Sequence, residues 1–229
     1  MKKRLVSLLL AGCMTAMLSV AAFAADTTEV SKSEEASLKA PVSKVFKDVP
    51  ADAWYVSGVQ FVYNNDVMVG VAPDQFAPEA GFNRAMVVQT MYNRSTNKSY
   101  DKNAAPAFKD VTNKNAWYYD AVQWAAQRGV IGGYEDGTFR PNKDVTREEF
   151  ATILYQASGS PSIINYTLPT HPDFKDVSAW AKNAMIWANR RHIINGVKAA
   201  NGLLYLQPKG VATRAQAASM LSQYLVITG

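Results

Sequence analysis

The chain has 229 residues, 48% hydrophobic and 19% charged, proportions that fit a globular protein and exclude collagen-like, disordered and coiled-coil classes. Its formal charge is +5, but Lys2, Lys3 and Arg4 crowd the N-terminus, and without them the surplus falls to two. So small a surplus, with no basic stripe interleaved with aromatic residues, argues against nucleic acid as a partner.

Residues 1–24 read as a secretory signal peptide: three cations, an apolar run from Leu5 to Phe23, and the small-x-small step Ala22-Phe23-Ala24. The mature chain is expected to begin at Ala25 and to be secreted. A second reading is a lipoprotein signal acylated at Cys13, since Leu10-Ala11-Gly12-Cys13 has lipobox form; the apolar run continues past Cys13, which favours ordinary cleavage. No other stretch approaches the roughly 20 apolar residues of a membrane span. Once Cys13 is removed the exported chain has no cysteine, so neither a disulfide nor a thiol nucleophile is available. Residues 25–45 are rich in Ser, Thr, Glu and Lys and read as a flexible leader.

The rest of the chain repeats itself three times. Phe-Lys-Asp-Val occurs at Phe46–Val49, Phe108–Val111 and Phe174–Val177. A tryptophan follows each, Trp54, Trp117 and Trp180, and 16 residues after each tryptophan stands a glycine, Gly70, Gly133 and Gly196. Pro78, Pro141 and Pro208 each precede an arginine by six residues, Arg84, Arg147 and Arg214, and that arginine follows Asn83, Thr146 or Thr213. The repeats are placed at 46–94, 108–157 and 174–225, separated by linkers with turn chemistry at 95–107 and 158–173.

Within each repeat the apolar period is helical. First helices are predicted at about 54–65, from Trp117 to near Gly129, and at about 180–191, with Trp117, Ala121, Trp124 and Ala125 on one face of the middle one. The middle second helix starts at Thr146, where Thr146 and Glu149 form a capping box, and buries Phe150, Ile153, Leu154 and Ala157. Thr213 and Gln216 repeat the box; Asn83 can cap but Met86 cannot reciprocate. Between the helices, Asp136 and Gly137 mark a turn with a positive φ. About 50 residues cannot bury much surface alone, so the fold class expected is all-α: three helix-loop-helix repeats sharing one core over 46–229.

The pattern Phe-x-Asp-Val, an aromatic before a helix, Gly-Tyr-x-Asp-Gly-Thr-Phe-x-Pro and Thr-Arg-x-Glu resembles the S-layer homology (SLH) module, most completely in the middle repeat. The resemblance covers about three quarters of the mature chain. It implies a pseudo-threefold helical bundle that anchors an exported protein non-covalently at the bacterial cell surface, by binding secondary cell-wall polysaccharide, often pyruvylated, in grooves between repeats. It implies Arg84, Arg147 and Arg214 as principal contacts. A pyruvyl ketal is a carboxylate on a sugar, which a planar guanidinium can bind bidentately, and a helix N-terminus would add backbone N–H groups at the same point. Trp54, Trp117 and Trp180 could offer flat faces to sugar rings. Asp48, Asp110 and Asp176 could accept from hydroxyls, and Gly70, Gly133 and Gly196 could let backbone approach the glycan.

Structural roles compete with these. Phe46, Phe108 and Phe174 are expected in the core, the tryptophans in the core or on groove walls, the aspartates as caps of the turn before the first helix, and the arginines in surface ion pairs. The first repeat departs from the pattern at Val71–Gln75 and Asn83. The third has 26 residues from Trp180 to Leu206, where Trp54 to Phe76 and Trp117 to Phe139 span 22. Arg147 is therefore expected to serve the best groove.

No enzyme is expected. The two histidines, His171 and His192, are too few and too separated for a zinc site, and no nucleophile-elbow or phosphate-loop motif occurs. Glu148 and Glu149 are adjacent on a helix and point in different directions, unlike a glycosidase pair. No cofactor or metal is expected, and no segment reads as cargo. The alternatives are a structural envelope component or an adaptor recruiting a protein partner through the leader, and, more distantly, an envelope glycan-processing enzyme.

Overall fold

A computed structural model describes residues 39–164 and 166–228; the expected signal peptide and most of the leader lie outside them. The end of the leader belongs to the folded body. A single helical turn, α1 (Val42–Val45), buries Val42 completely, its N–H donates to Gln60 Oε1 at 2.8 Å, and Lys39 Nζ reaches Tyr63 O at 2.8 Å. Residues 39–45, predicted to be part of a flexible leader, are therefore ordered against the fold, because Val42, Val45 and Phe46 supply apolar surface for the core.

Among the described residues the three repeats contribute six α-helices, α2 (Val56–Asn64) and α3 (Arg84–Arg94), α4 (Tyr119–Gln127) and α5 (Arg147–Ala157), and α6 (Lys182–Arg190) and α7 (Arg214–Thr228). Each first helix begins two residues after its tryptophan. The second helices open as their caps dictate: Asn83 Oδ1 accepts from Met86 N–H at 2.9 Å, Thr146 and Glu149 complete a capping box, and Thr213 and Gln216 exchange the same pair of bonds at 3.3 Å. Asp136 Oδ1 accepts from Thr138 N–H at 3.0 Å and Gly137 has φ +78°, as the turn requires.

Helices pair between repeats. The packed pairs are α3 with α4, α5 with α6, and α2 with α7, so the second helix of each repeat meets the first helix of the next and the third repeat closes onto the first. At the centre three backbone bonds form a ring, each 2.9 Å long: Phe82 N–H to Ala212 O, Ala212 N–H to Val145 O, and Val145 N–H to Phe82 O. These residues immediately precede the three helix caps and are fully buried, with the Phe82 ring against Phe150. A core assembled this way exists only when all three repeats are present.

Two expectations about burial are corrected. Trp117 leaves the apolar face of its helix because it lies before the first turn, and Ala157 is exposed at the end of α5. The extra residues of the third repeat form a small antiparallel hairpin, β1 (Val197–Lys198) with β2 (Leu204–Tyr205), an addition to the all-α scheme.

Candidate functional site

Each arginine that opens a second helix reaches out of its own repeat into the loop of the next. Arg84 Nε donates to Phe139 O at 2.7 Å and Nη2 to Gly132 O at 2.9 Å. Arg147 Nε donates to Leu206 O at 2.7 Å. Arg214 Nε donates to Phe76 O and Nη2 to Val69 O, both at 2.8 Å. The peptide that accepts each Nε–H is gripped from its other side by a carboxylate. Asp48 Oδ2 accepts from Ala77 N–H, Asp110 Oδ2 from Arg140 N–H, and Asp173 Oδ2 from Gln207 N–H, all at 2.7 Å. A single peptide unit thus links one anion and one cation in every repeat, with its dipole aligned between them. That N–H belongs each time to a non-glycine residue held at positive φ, 57° at Ala77, 57° at Arg140 and 50° at Gln207, a left-handed conformation that persists because the carboxylate fixes it.

The third repeat shows that the Phe-Lys-Asp-Val tetrad misplaces its register. Asp173, not Asp176, grips the loop, through Leu206 N–H at 2.9 Å as well as Gln207 N–H. Asp176 is exposed, and its carboxylate has no hydrogen-bond partner among the described residues. His171 fills the place that Phe46 and Phe108 hold in the other repeats: a Cβ on Gly196 would meet His171 at 3.1 Å, as one on Gly70 would meet Phe46 at 2.6 Å and one on Gly133 would meet Phe108 at 2.5 Å. The sequence carried a usable signal in the distance to tryptophan, seven residues from Asp110 to Trp117 and from Asp173 to Trp180, but four from Asp176. The glycine contacts also show that Gly70 and Gly133 admit an aromatic ring beneath the loop, so their small size has a structural use.

The helix N-termini are closed to ligands. The first two N–H groups of each second helix donate to carbonyls of a neighbouring repeat: Arg84 to Lys143 and Ala85 to Pro141, Arg147 to Gly210 and Glu148 to Pro208, Arg214 to Ala80 and Ala215 to Pro78, at 2.9 to 3.0 Å. The cap side chain takes the third. The expected convergence of these helix N–H groups with the guanidinium on one anion is therefore not available, because the N–H groups are already paired.

Two cavities contain these arginines. One, of about 500 Å³, combines Arg147 with the third-repeat segment Ile194–Val197, with Gln216 and Ser219 of α7, and with Trp54 and Gly58 of the first repeat. The other, of about 270 Å³, combines Arg84 with Gly132–Tyr134 and Phe139, with Glu149 and Thr152 of α5, and with Trp180. Each groove draws its arginine, its loop and its tryptophan from three different repeats. Trp54 and Trp180 are 68% and 58% exposed, walls and not core; Trp117 is 57% exposed and meets Tyr118 edge-on. Arg147 thus faces the third-repeat loop and Trp54, while Gly133 and the motif-rich middle loop serve Arg84.

The guanidinium groups differ in what remains to bind. Arg147 and Arg214 are 4% and 5% exposed, and desolvation lowers all three pKa values, that of Arg147 to about 10, with Asp173 opposing the shift. At neutral pH Arg147 is a buried cation. Among the described residues none of the three lies within 4.0 Å of a carboxylate. Arg147 uses only Nε; its four terminal N–H groups find no acceptor among the described residues. Sequence reasoning also missed Glu148, which is buried and accepts from Ser178 N–H at 3.0 Å, Ser178 Oγ–H at 2.9 Å and Lys209 Nζ at 2.6 Å, tying α5 to the third repeat.

The fold and site define a closed three-repeat helical module with arginine-bearing grooves between repeats. The S-layer homology domain matches residues 45–85, 107–151 and 172–218, and the chain belongs to that family. It is 32% identical over 183 residues to the exoglucanase XynX of Acetivibrio thermocellus, covering 78% of this chain and 16% of that protein. It is 29% identical over 188 residues to the S-layer protein sap of Bacillus anthracis, covering 80% and 22%. A cellulosome-anchoring protein of Acetivibrio thermocellus is 32% identical over 110 residues, 47% of this chain and 24% of that one. The chain therefore spans less than a quarter of the length of each of these relatives.

Proposed function

We propose that this protein is a non-catalytic anchor, exported to the bacterial cell surface, that holds to the wall by binding an acid-bearing secondary cell-wall polysaccharide, of pyruvylated type, in the grooves between its repeats. One observation carries the reading: Arg147 presents four N–H groups, unpartnered among the described residues, to a cavity of about 500 Å³ whose described lining contains no Asp or Glu. A buried cation without a paired anion favours an anionic ligand, and a guanidinium fork suits a ketal carboxylate. The exposed face of Trp54 suits the apolar face of the sugar that carries it. Membership of a family whose relatives include an S-layer protein and a cellulosome-anchoring protein supports a surface-anchoring role, and the signal-like residues 1–24 support export.

Co-sedimentation tests this. The chain from residue 25 onward is expected to pellet with wall sacculi that retain their polysaccharide and to stay in solution with sacculi stripped of it. Equal pelleting with both would overturn the reading.

A further inference from the structure

The third residue of each second helix stands beside the arginine of the preceding repeat. Met86 Sδ lies 3.9 Å from Arg214 Nη1; Glu149 shares the smaller cavity with Arg84; Gln216 shares the larger one with Arg147. One position thus offers three chemistries to three otherwise similar guanidinium groups: a thioether, a carboxylate and an amide. We infer that this position is a charge gate that decides which groove accepts an acidic sugar, admitting it beside Gln216 and disfavouring it beside Glu149. The inference rests on the wall-glycan reading above and refines it to a specificity residue.

Three observations carry it. Glu149 is an anion in place: it accepts from Thr146 N–H and Lys143 Nζ at 2.8 and 2.9 Å, and its charge acts directly on Arg84. An incoming carboxylate in that groove would meet both the cation and a like charge. Gln216 makes the same cap through Oε1 to Thr213 N–H and carries no charge. The donor count agrees, since Arg84 and Arg214 each commit Nε and Nη2 to loop carbonyls, whereas among the described residues Arg147 commits Nε alone. Space agrees too: the cavity that holds Arg147 and Gln216 is about 500 Å³, against about 270 Å³ for the one that holds Arg84 and Glu149.

Because Glu and Gln both complete the cap, the gate can be exchanged with the helix start kept. The probe is methyl 4,6-O-(1-carboxyethylidene)-glucopyranoside, titrated by calorimetry at pH 7 with its neutral methyl ester as control, and thermal melts verify that each variant is folded. The wild-type chain is expected to bind one equivalent of the acid and to bind the ester about tenfold or more weakly, the scale of losing a hydrogen-bonded charge partner. Gln216→Glu is expected to weaken the acid by about tenfold, and Glu149→Gln to raise the stoichiometry to two. Two or three equivalent sites in the wild type, or Gln216→Glu binding as tightly as the wild type, would overturn the gate while leaving the anchor reading intact. Failure of the wild type to bind either the acid or the wall polymer would overturn both.

Discussion

Replacing Asp173 with alanine removes both acceptors that hold the third-repeat loop, the 2.9 Å bond from Leu206 N–H and the 2.7 Å bond from Gln207 N–H. Hydrogen bonds to a charged group contribute about 1.5–3 kcal/mol each. Gln207 is exposed, so water recovers part of its bond, while its left-handed φ of 50° loses the contact that holds it. The net destabilisation is about 2–3 kcal/mol, which for a body of this size lowers Tm by about 4–12 °C. Asp176→Ala, which removes the aspartate of the recognisable tetrad, is expected to leave Tm unchanged, because that exposed carboxylate has no partner among the described residues. Differential scanning calorimetry of the two variants decides the matter. If Asp176→Ala destabilises as much as Asp173→Ala or more, the register assigned to the third repeat is wrong, and with it the peptide that links Asp173 to Arg147.

Gly133→Ala would place a Cβ 2.5 Å from the Phe108 ring and 2.7 Å from Thr138 O, and should lower stability by about 2 kcal/mol or more in urea titration, while Gly132→Ala, with nothing within 4 Å, should be near neutral. Burial alone would raise the Glu149 carboxyl, but Thr146 N–H and Lys143 outweigh it and lower the folded pKa below 4.5; Glu149→Gln should therefore be less stable than the wild type at pH 7, and the difference should vanish as pH falls through that depressed value. Because α2 packs on α7 and α3 on α4, residues 39–107 alone should lack cooperative helical unfolding by circular dichroism, whereas residues 39–229 should melt in one transition.

Much of the fold was legible because its signals are local. Thr146 with Glu149, Thr213 with Gln216, Asn83 alone, and Asp136 with Gly137 each specify a cap or turn within four residues, and the structure realises every one. What escaped is non-local. Nothing in the spacing tells that α3 packs on α4 or that Arg147 crosses to Leu206, so it does not show that Arg147 and Gly133, both of the middle repeat, line different cavities. The third repeat misled because Phe174-Lys175-Asp176-Val177 repeats the tetrad three residues beyond its structural equivalent, His171-Pro172-Asp173, where histidine replaces the phenylalanine. The helix N-termini looked open because their backbone acceptors, Pro78, Pro141 and Pro208 among them, lie in other repeats.

The central claim is that a glycan carboxylate sits on Arg147, and a thermodynamic cycle on purified wall polymer tests it most directly. Calorimetry would compare the wild type and Arg147→Ala on native polymer and on polymer chemically freed of pyruvyl groups. Each change alone is expected to weaken binding strongly, and the two together to be scarcely worse than either, because both remove the same contact. Losses that simply multiply would show that the pyruvyl carboxylate and Arg147 act at separate places, and would contradict the account.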